Sequence, residues 1–196
     1  MIKTFDFFFD FISPYSYLAH KQIRNIEKDY KIKINYMPIF LGGLLDLLEI
    51  KAPALIPPKA KFMIRDCKLF SEKLNIKFQF NSFFPINSLN LMRGVLLAEK
   101  ENKKDLYIDK FFDAYWKDGL NLNDIKIINH SLQYLDLDLK SFKIKLTEQK
   151  IKDELKKRTN DAFMRGVFGV PSFIINNKIF WGQDRLEFVL NEAKKN

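Results

Sequence analysis

Residues 5–19 read FDFFFDFISPYSYLA: an aromatic run, then Ser-Pro, then an apolar segment. The aromatic run from Phe5 to Phe11 has the length and composition of a short buried strand. Ser13 is a good helix N-cap and Pro14 suits the first helical position, so a helix is predicted to begin here. A second strand is predicted between Ile32 and Ile39. The chain therefore opens with a predicted β-α-β unit.

The middle of the chain has the apolar spacing of helices. A charged helix is predicted from about Ser141 to Arg165, and Gly166 and Gly169 end it. Four further helices are predicted from apolar sets that each share one helical face. These sets are Met63, Cys67, Phe70 and Leu74; Leu89, Met92 and Leu96; Ile108, Phe111 and Tyr115; and Ile125, Ile128, Leu132 and Leu135.

The end of the chain returns to strands. Ser172 to Ile175 and Lys178 to Trp181 flank Asn176-Asn177, which suits a hairpin turn. Asp184 is predicted to cap a last helix. Neither end of the chain can bury a two-sided sheet alone, so the two ends are predicted to pair. The fold class is α/β, with residues 1–40 and 167–196 in one domain and residues 41–166 as an all-helical insertion.

Composition excludes several classes of protein. The chain has 196 residues, two histidines and one cysteine, Cys67, which argues against a disulfide scaffold, a two-cysteine redox enzyme and a Cys/His zinc site. The net charge is +9, but 27 of the 33 basic residues are scattered lysines, which favours a solvated surface over nucleic-acid binding. No apolar run approaches the ~20 residues of a membrane span, and the start does not look like a signal peptide. We therefore expect a cytoplasmic protein that binds neither a membrane nor nucleic acid.

Six stretches, in chain order, resemble the 2-hydroxychromene-2-carboxylate isomerases and the related kappa-class glutathione transferases. That family has a thioredoxin-like domain with a large helical insertion, the DsbA-like architecture, which is the arrangement expected here. The resemblance also implies a homodimer. The six stretches are residues 9–19, 56–59, 63–66, 84–88 with Met92-Arg93, 169–173 and 182–185.

Ser13 carries the chemistry that this resemblance implies. The redox branch of the fold has cysteines at the positions of Ser13 and Ser16, so this chain cannot form that disulfide. A helix N-terminus and a hydroxyl donor still suit a sulfur anion. The resemblance therefore implies that Ser13 is catalytic and holds the thiolate of glutathione. The alternative is that Ser13 is only an N-cap.

The resemblance also implies the rest of a glutathione site. Val170 and a cis Pro171 would pair with the cysteinyl backbone of glutathione. Each residue assigned to this site also has a purely structural alternative, such as a helix cap or a solvated side chain. One residue departs from the pattern, because Ile50 stands where the related transferases often have asparagine. The expected cofactor-binding residues are Pro14 and Tyr15 at the tip, Pro57 and Lys59 at the glycyl end, Val170 and Pro171, and Gln183, Asp184 and Arg185 at the γ-glutamyl end. No metal is expected.

The function that the resemblance implies is glutathione-dependent cis–trans isomerisation. The substrate would be an aromatic 2-hydroxychromene carboxylate or a similar acid, isomerised through a transient adduct with the thiolate. Two alternatives remain open: a kappa-like transferase that conjugates electrophiles, and a non-catalytic glutathione-binding protein of the same fold. A nucleic-acid binder is a more distant alternative.

Overall fold

The computed structural model describes residues 3–195, so the outermost residues of the predicted first domain lie outside it. Within this range the sheet has four strands in the order β2-β1-β3-β4. β1 runs parallel to β2 and antiparallel to β3, and β3 and β4 form a hairpin. The two ends of the chain pair as predicted, since Phe7 lies opposite Phe173. The strands are β1 (Asp6–Phe9), β2 (Asn35–Pro38), β3 (Ser172–Ile175) and β4 (Lys178–Trp181).

Helices fill the connections between the strands. One long helix, α1, joins β1 to β2, a run of helices joins β2 to β3, and α9 follows β4. Their bounds are α1 (Pro14–Tyr30), α2 (Leu41–Leu47), α3 (Pro57–Lys73), α4 (Leu89–Lys100), α5 (Lys104–Phe112), α6 (Ile125–Tyr134), α7 (Leu139–Thr147), α8 (Gln149–Met164) and α9 (Leu186–Ala193), with short helical turns at Pro53–Leu55, Asp113–Lys117 and Gln183–Arg185.

The structure confirms the hairpin and corrects two helix predictions. Asn176 and Asn177 both have positive φ (49° and 58°), as a two-residue hairpin turn requires. The charged helix predicted from about Ser141 to Arg165 is two helices, because Glu148 adopts an extended ψ of 137° between α7 and α8. The prediction that Asp184 caps the last helix is wrong. Asp184 lies inside the turn Gln183–Arg185, and α9 begins after it without a side-chain cap.

The core is aromatic and runs from the sheet into the helices. The Phe7 ring stacks on Phe173 with centroids 5.4 Å apart, and Phe11 meets Phe112 of α5 edge-on at 4.8 Å. Trp116 is fully buried in the same cluster. Burial of such rings is the dominant stabilising contribution of this kind of core. The sheet and the helical segment therefore share one core. The domain boundaries at residues 40 and 167 stay a prediction.

The helices between residues 3 and 195 include none with both the length and the apolar character needed to span a membrane.

Candidate functional site

Ser13 is the N-cap of α1, as predicted. Its backbone is extended (φ −87°, ψ 114°), and its Oγ accepts a hydrogen bond from the Ser16 N–H at 3.1 Å. No acidic residue lies in the first turn. Pro14 has no N–H to donate, and the Tyr15 N–H has no acceptor within residues 3–195. The first turn of α1 therefore contains no acidic side chain that would oppose the positive end of the helix dipole.

Val170 and Pro171 face this tip. The Val170–Pro171 peptide is cis, as the resemblance implied. The Ser13 hydroxyl donates to the Val170 carbonyl at 3.2 Å, a contact between residues 157 positions apart. This oxygen–oxygen distance is long for a hydroxyl donor, whose usual distance is about 2.7–2.8 Å. The resemblance implied that the Val170 carbonyl points outward to a ligand, but it points at Ser13, which is only 5% exposed.

The turn at Gln183–Arg185 lies beside the cis proline. The Gly182 N–H donates to the Pro171 carbonyl at 3.0 Å, which ties the two segments together. Gly182 has a φ of 114°, and a Cβ there would lie 2.6 Å from Oδ1 of Asp184, so glycine is required. Asp184 and Arg185 are exposed and form an ion pair at 3.3 Å. Both side chains are accessible to a ligand.

Gln183 is placed differently from its two neighbours. Its side chain is buried, and its Oε1 accepts a hydrogen bond from Nε2 of Gln22 in α1 at 3.2 Å. Its backbone carbonyl accepts a second hydrogen bond from the same Nε2 at 3.3 Å. Both bonds hold the turn Gln183–Arg185 against α1. The Gln183 side chain therefore positions this turn, and any ligand contact here falls to the backbone or to Asp184 and Arg185.

The predicted residues of α3 are less closely tied to the tip. Pro57 and Lys59 lie in the first turn of α3, and Lys59 is exposed with no ion pair in the described part of the chain. Tyr15 links the two helices, because its hydroxyl donates to Oδ2 of Asp66 at 2.9 Å. Burial raises the pKa of Tyr15 well above its usual range. Within residues 3–195, no hydrogen bond joins the first turn of α3 to Ser13.

Asp10 is a site residue that sequence reasoning missed. It lies just past the end of β1, is fully buried, and its backbone carbonyl accepts from the Ser13 N–H at 3.1 Å. Its carboxylate accepts from the N–H of Ile12 at 3.1 Å and from the N–H of Leu41 at 2.8 Å. Burial raises the pKa of Asp10 to about 6, although these N–H groups and the Ser88 hydroxyl favour the ionised form. An acidic residue inside an aromatic run, three positions before Ser13, was the available signal.

We expect Asp10 to make stability fall as pH rises from about 4 to about 6. Its pKa is about 6 in the folded protein and 3.8 without burial, so the folded state binds the extra proton in this window. The difference amounts to about 3 kcal/mol. Denaturant unfolding of wild type and Asp10→Asn at pH 4 and pH 8 should show wild type gaining about 2 kcal/mol relative to the variant at pH 4, where the unfolded carboxyl is still partly ionised. Parallel pH profiles for the two proteins would contradict the assignment.

Comparison with known proteins assigns the fold to a family. Residues 4–194 match the family model described as the DSBA-like thioredoxin domain. The chain belongs to this family. The chain has one cysteine, Cys67, which is buried, so it cannot form a disulfide within itself.

Sequence relatives of this DSBA-like chain carry the names of two enzyme classes. The 2-hydroxychromene-2-carboxylate isomerase of Sphingobium xenophagum is 28% identical over 197 residues, covering 96% of this chain and 97% of that protein. The human glutathione S-transferase kappa 1 is 23% identical over 201 residues, covering 95% of this chain and 89% of that protein.

The solved structures give the same grouping. A 2-hydroxychromene-2-carboxylate isomerase superposes with a TM-score of 0.88 at 25% identity, covering 95% of this chain and 92% of that one. A probable DsbA oxidoreductase from Streptomyces coelicolor reaches a TM-score of 0.71 at 13% identity, covering 98% of this chain and 91% of that one. The second likeness concerns the fold alone. The DsbA-like fold predicted from the sequence is therefore confirmed.

Proposed function

We propose that this protein is a glutathione-dependent isomerase of the 2-hydroxychromene-2-carboxylate isomerase type. The observation that carries the proposal is the contact of Ser13 Oγ with the Val170 carbonyl at the tip of α1. The relatives named as isomerases support the reaction class. The relatives named as glutathione transferases support the cofactor.

The residues at the tip fit a thiolate-bearing peptide. The N–H groups of Tyr15 and Val170 have no acceptor within residues 3–195, so both can donate to a ligand. Asp184 and Arg185 offer an exposed carboxylate and guanidinium within one turn of the Pro171 carbonyl, which suits an amino-acid zwitterion. Lys59 offers an exposed cation for a terminal carboxylate. The donor set matches a peptide with a carboxylate at both ends.

Ser13 is the group that acts on the sulfur. Bound glutathione would supply a nucleophilic thiolate that the chain itself lacks. In the structure the Ser13 hydroxyl donates a long hydrogen bond to the Val170 carbonyl. A hydrogen bond from the same hydroxyl to a charged thiolate would be stronger, so replacing the carbonyl by the thiolate as acceptor is favourable. The α1 dipole adds to that preference because the first turn has no acidic residue. Ser13 and α1 thus stabilise negative charge at one point, and the Val170 segment orients the ligand backbone.

An assay with two acceptors separates the isomerase from the second candidate, a conjugating transferase. We expect a 2-hydroxychromene-2-carboxylate to turn over with catalytic glutathione that is recovered unchanged. A chloronitrobenzene acceptor should react slowly and consume glutathione in equal amount. Turnover of the chloronitrobenzene alone would favour the transferase. Glutathione binding without turnover of either compound would favour the non-catalytic alternative. A homodimer and a cytoplasmic location remain expectations of the proposal.

A further inference from the structure

A cavity lies between α2, α4 and α8, apart from Ser13. Its volume is about 490 Å³, which is within the range of small-molecule sites. Phe40, Leu47, Leu89 and Leu155 give the cavity an apolar portion, and polar and charged side chains form most of the remaining lining. None of the predicted glutathione-binding residues lines it. The cavity is therefore separate from the proposed glutathione site.

Arg93 of α4 lines this cavity as a cation without a carboxylate partner. Within residues 3–195 no carboxylate oxygen lies within 4.0 Å of its guanidinium. One terminal nitrogen donates to Oδ1 of Asn90 at 3.1 Å, but the Nε–H is buried and has no acceptor. Burial lowers the pKa of Arg93, and no carboxylate opposes the effect. A buried N–H without an acceptor is costly, so this one favours a ligand that accepts.

The rim of the cavity does not neutralise Arg93 with negative charge. Lys152 and Lys156 lie on the rim, as do Asp46 and Asp153. The two lysines have no ion pair in the described part of the chain, and Asp153 accepts from the Gln149 amide at 2.8 Å. Cations thus outnumber carboxylates by one, counting Arg93. The cavity favours an anion over a neutral or cationic ligand.

We propose that this cavity binds a small organic acid, with its carboxylate on Arg93 and its apolar body against Phe40, Leu89 and Leu155. The guanidinium can donate to the carboxylate from its terminal nitrogens and supplies a positive charge that no carboxylate within residues 3–195 neutralises. The apolar portion of the lining favours an organic acid over an inorganic anion, because phosphate would leave Phe40, Leu89 and Leu155 without an apolar partner. The proposal does not depend on glutathione binding at Ser13.

The test is titration of the full chain with 2-naphthoate and with the neutral 2-naphthamide. We expect saturable binding of naphthoate at least about tenfold tighter than naphthamide. Arg93→Gln should weaken naphthoate about tenfold or more and leave naphthamide unchanged. Arg65→Gln removes the same charge from an exposed site on α3 and should change neither affinity. Thermal unfolding of each variant checks that it is folded.

A second pair of variants leaves Arg93 in place. Leu47 is 45% exposed on the cavity wall, so it tolerates a charged side chain. Leu47→Glu should weaken naphthoate binding, and Leu47→Lys should not. The proposal is overturned if naphthoate shows no saturable binding, or if the acid and the amide bind with equal affinity. It is also overturned if Arg93→Gln binds naphthoate as tightly as wild type, or if glutathione displaces naphthoate. Glutathione binding measured separately shows whether the Ser13 proposal stands or fails by itself.

Discussion

Ser13→Ala should lose most of its activity at pH 7 and recover part of it near pH 9. A free thiol has a pKa of about 8.5, so only about 3% is ionised at pH 7. Making it mostly thiolate requires about 2.7 kcal/mol. A helix terminus contributes about 0.3–1 kcal/mol, and a hydrogen bond to a charged group about 1.5–3 kcal/mol. Ser13 supplies the larger part, so the thiolate fraction should fall by up to about 30-fold in the variant.

The pH profile separates this role from a cap. At pH 9 the solvent ionises the thiol without help, so the difference between wild type and Ser13→Ala should shrink. A lost N-cap costs about 0.5–2 kcal/mol of stability, which does not depend on pH in this way. Ser16→Ala is the matched control, because its buried hydroxyl has no hydrogen-bond partner within residues 3–195. Equal activity of Ser13→Ala and wild type at pH 7 would contradict the role.

Trp116→Ala should be the most destabilising single change in the core, costing about 3–5 kcal/mol. Trp116 is fully buried and packs against Phe78, Phe80 and Phe84. Its Nε1–H donates to the Phe11 carbonyl at 2.7 Å, two residues before Ser13. Trp116→Phe keeps most of the packing but leaves that carbonyl unpaired, at about 1–3 kcal/mol. Denaturant unfolding at constant pH measures both costs.

Trp181 provides the control for this series. It is 53% exposed on β4 and contacts Phe168 at a centroid distance of 5.1 Å. Removing the same side chain from a surface position should cost less than about 1 kcal/mol. If Trp116→Ala costs no more than Trp181→Ala, the burial of Trp116 does not make the contribution to stability that we expect.

Local signals predicted the parts of the fold that depend on neighbouring residues. The tip of α1 follows from Ser13-Pro14, and the hairpin follows from Asn176-Asn177, because both features are set within a few residues. The break between α7 and α8 was not visible. It falls at Glu148, which is neither proline nor glycine, so tertiary packing decides it.

The site residues that were missed depend on long-range contacts. Asp10 binds the Leu41 N–H, 31 residues away, and nothing near Asp10 in the sequence indicates this partner. Nothing in the sequence around Arg93 shows that it lines a cavity and has no carboxylate partner within residues 3–195, because both depend on helices distant in the chain. Asp184 was predicted to be a cap from its residue type. The bond from the Gly182 N–H to Pro171 instead sets the turn in which Asp184 lies.

Calorimetric titration with glutathione and S-methylglutathione tests the central claim most directly, because methylation removes the ionisable thiol and little else. If the tip of α1 holds the thiolate, glutathione should bind at millimolar concentration or below. S-methylglutathione, and glutathione with the Ser13→Ala variant, should bind at least about tenfold more weakly, as expected for the loss of a hydrogen bond to a charged group. No binding of glutathione at millimolar concentration, or equal affinity in the three titrations, would contradict the account.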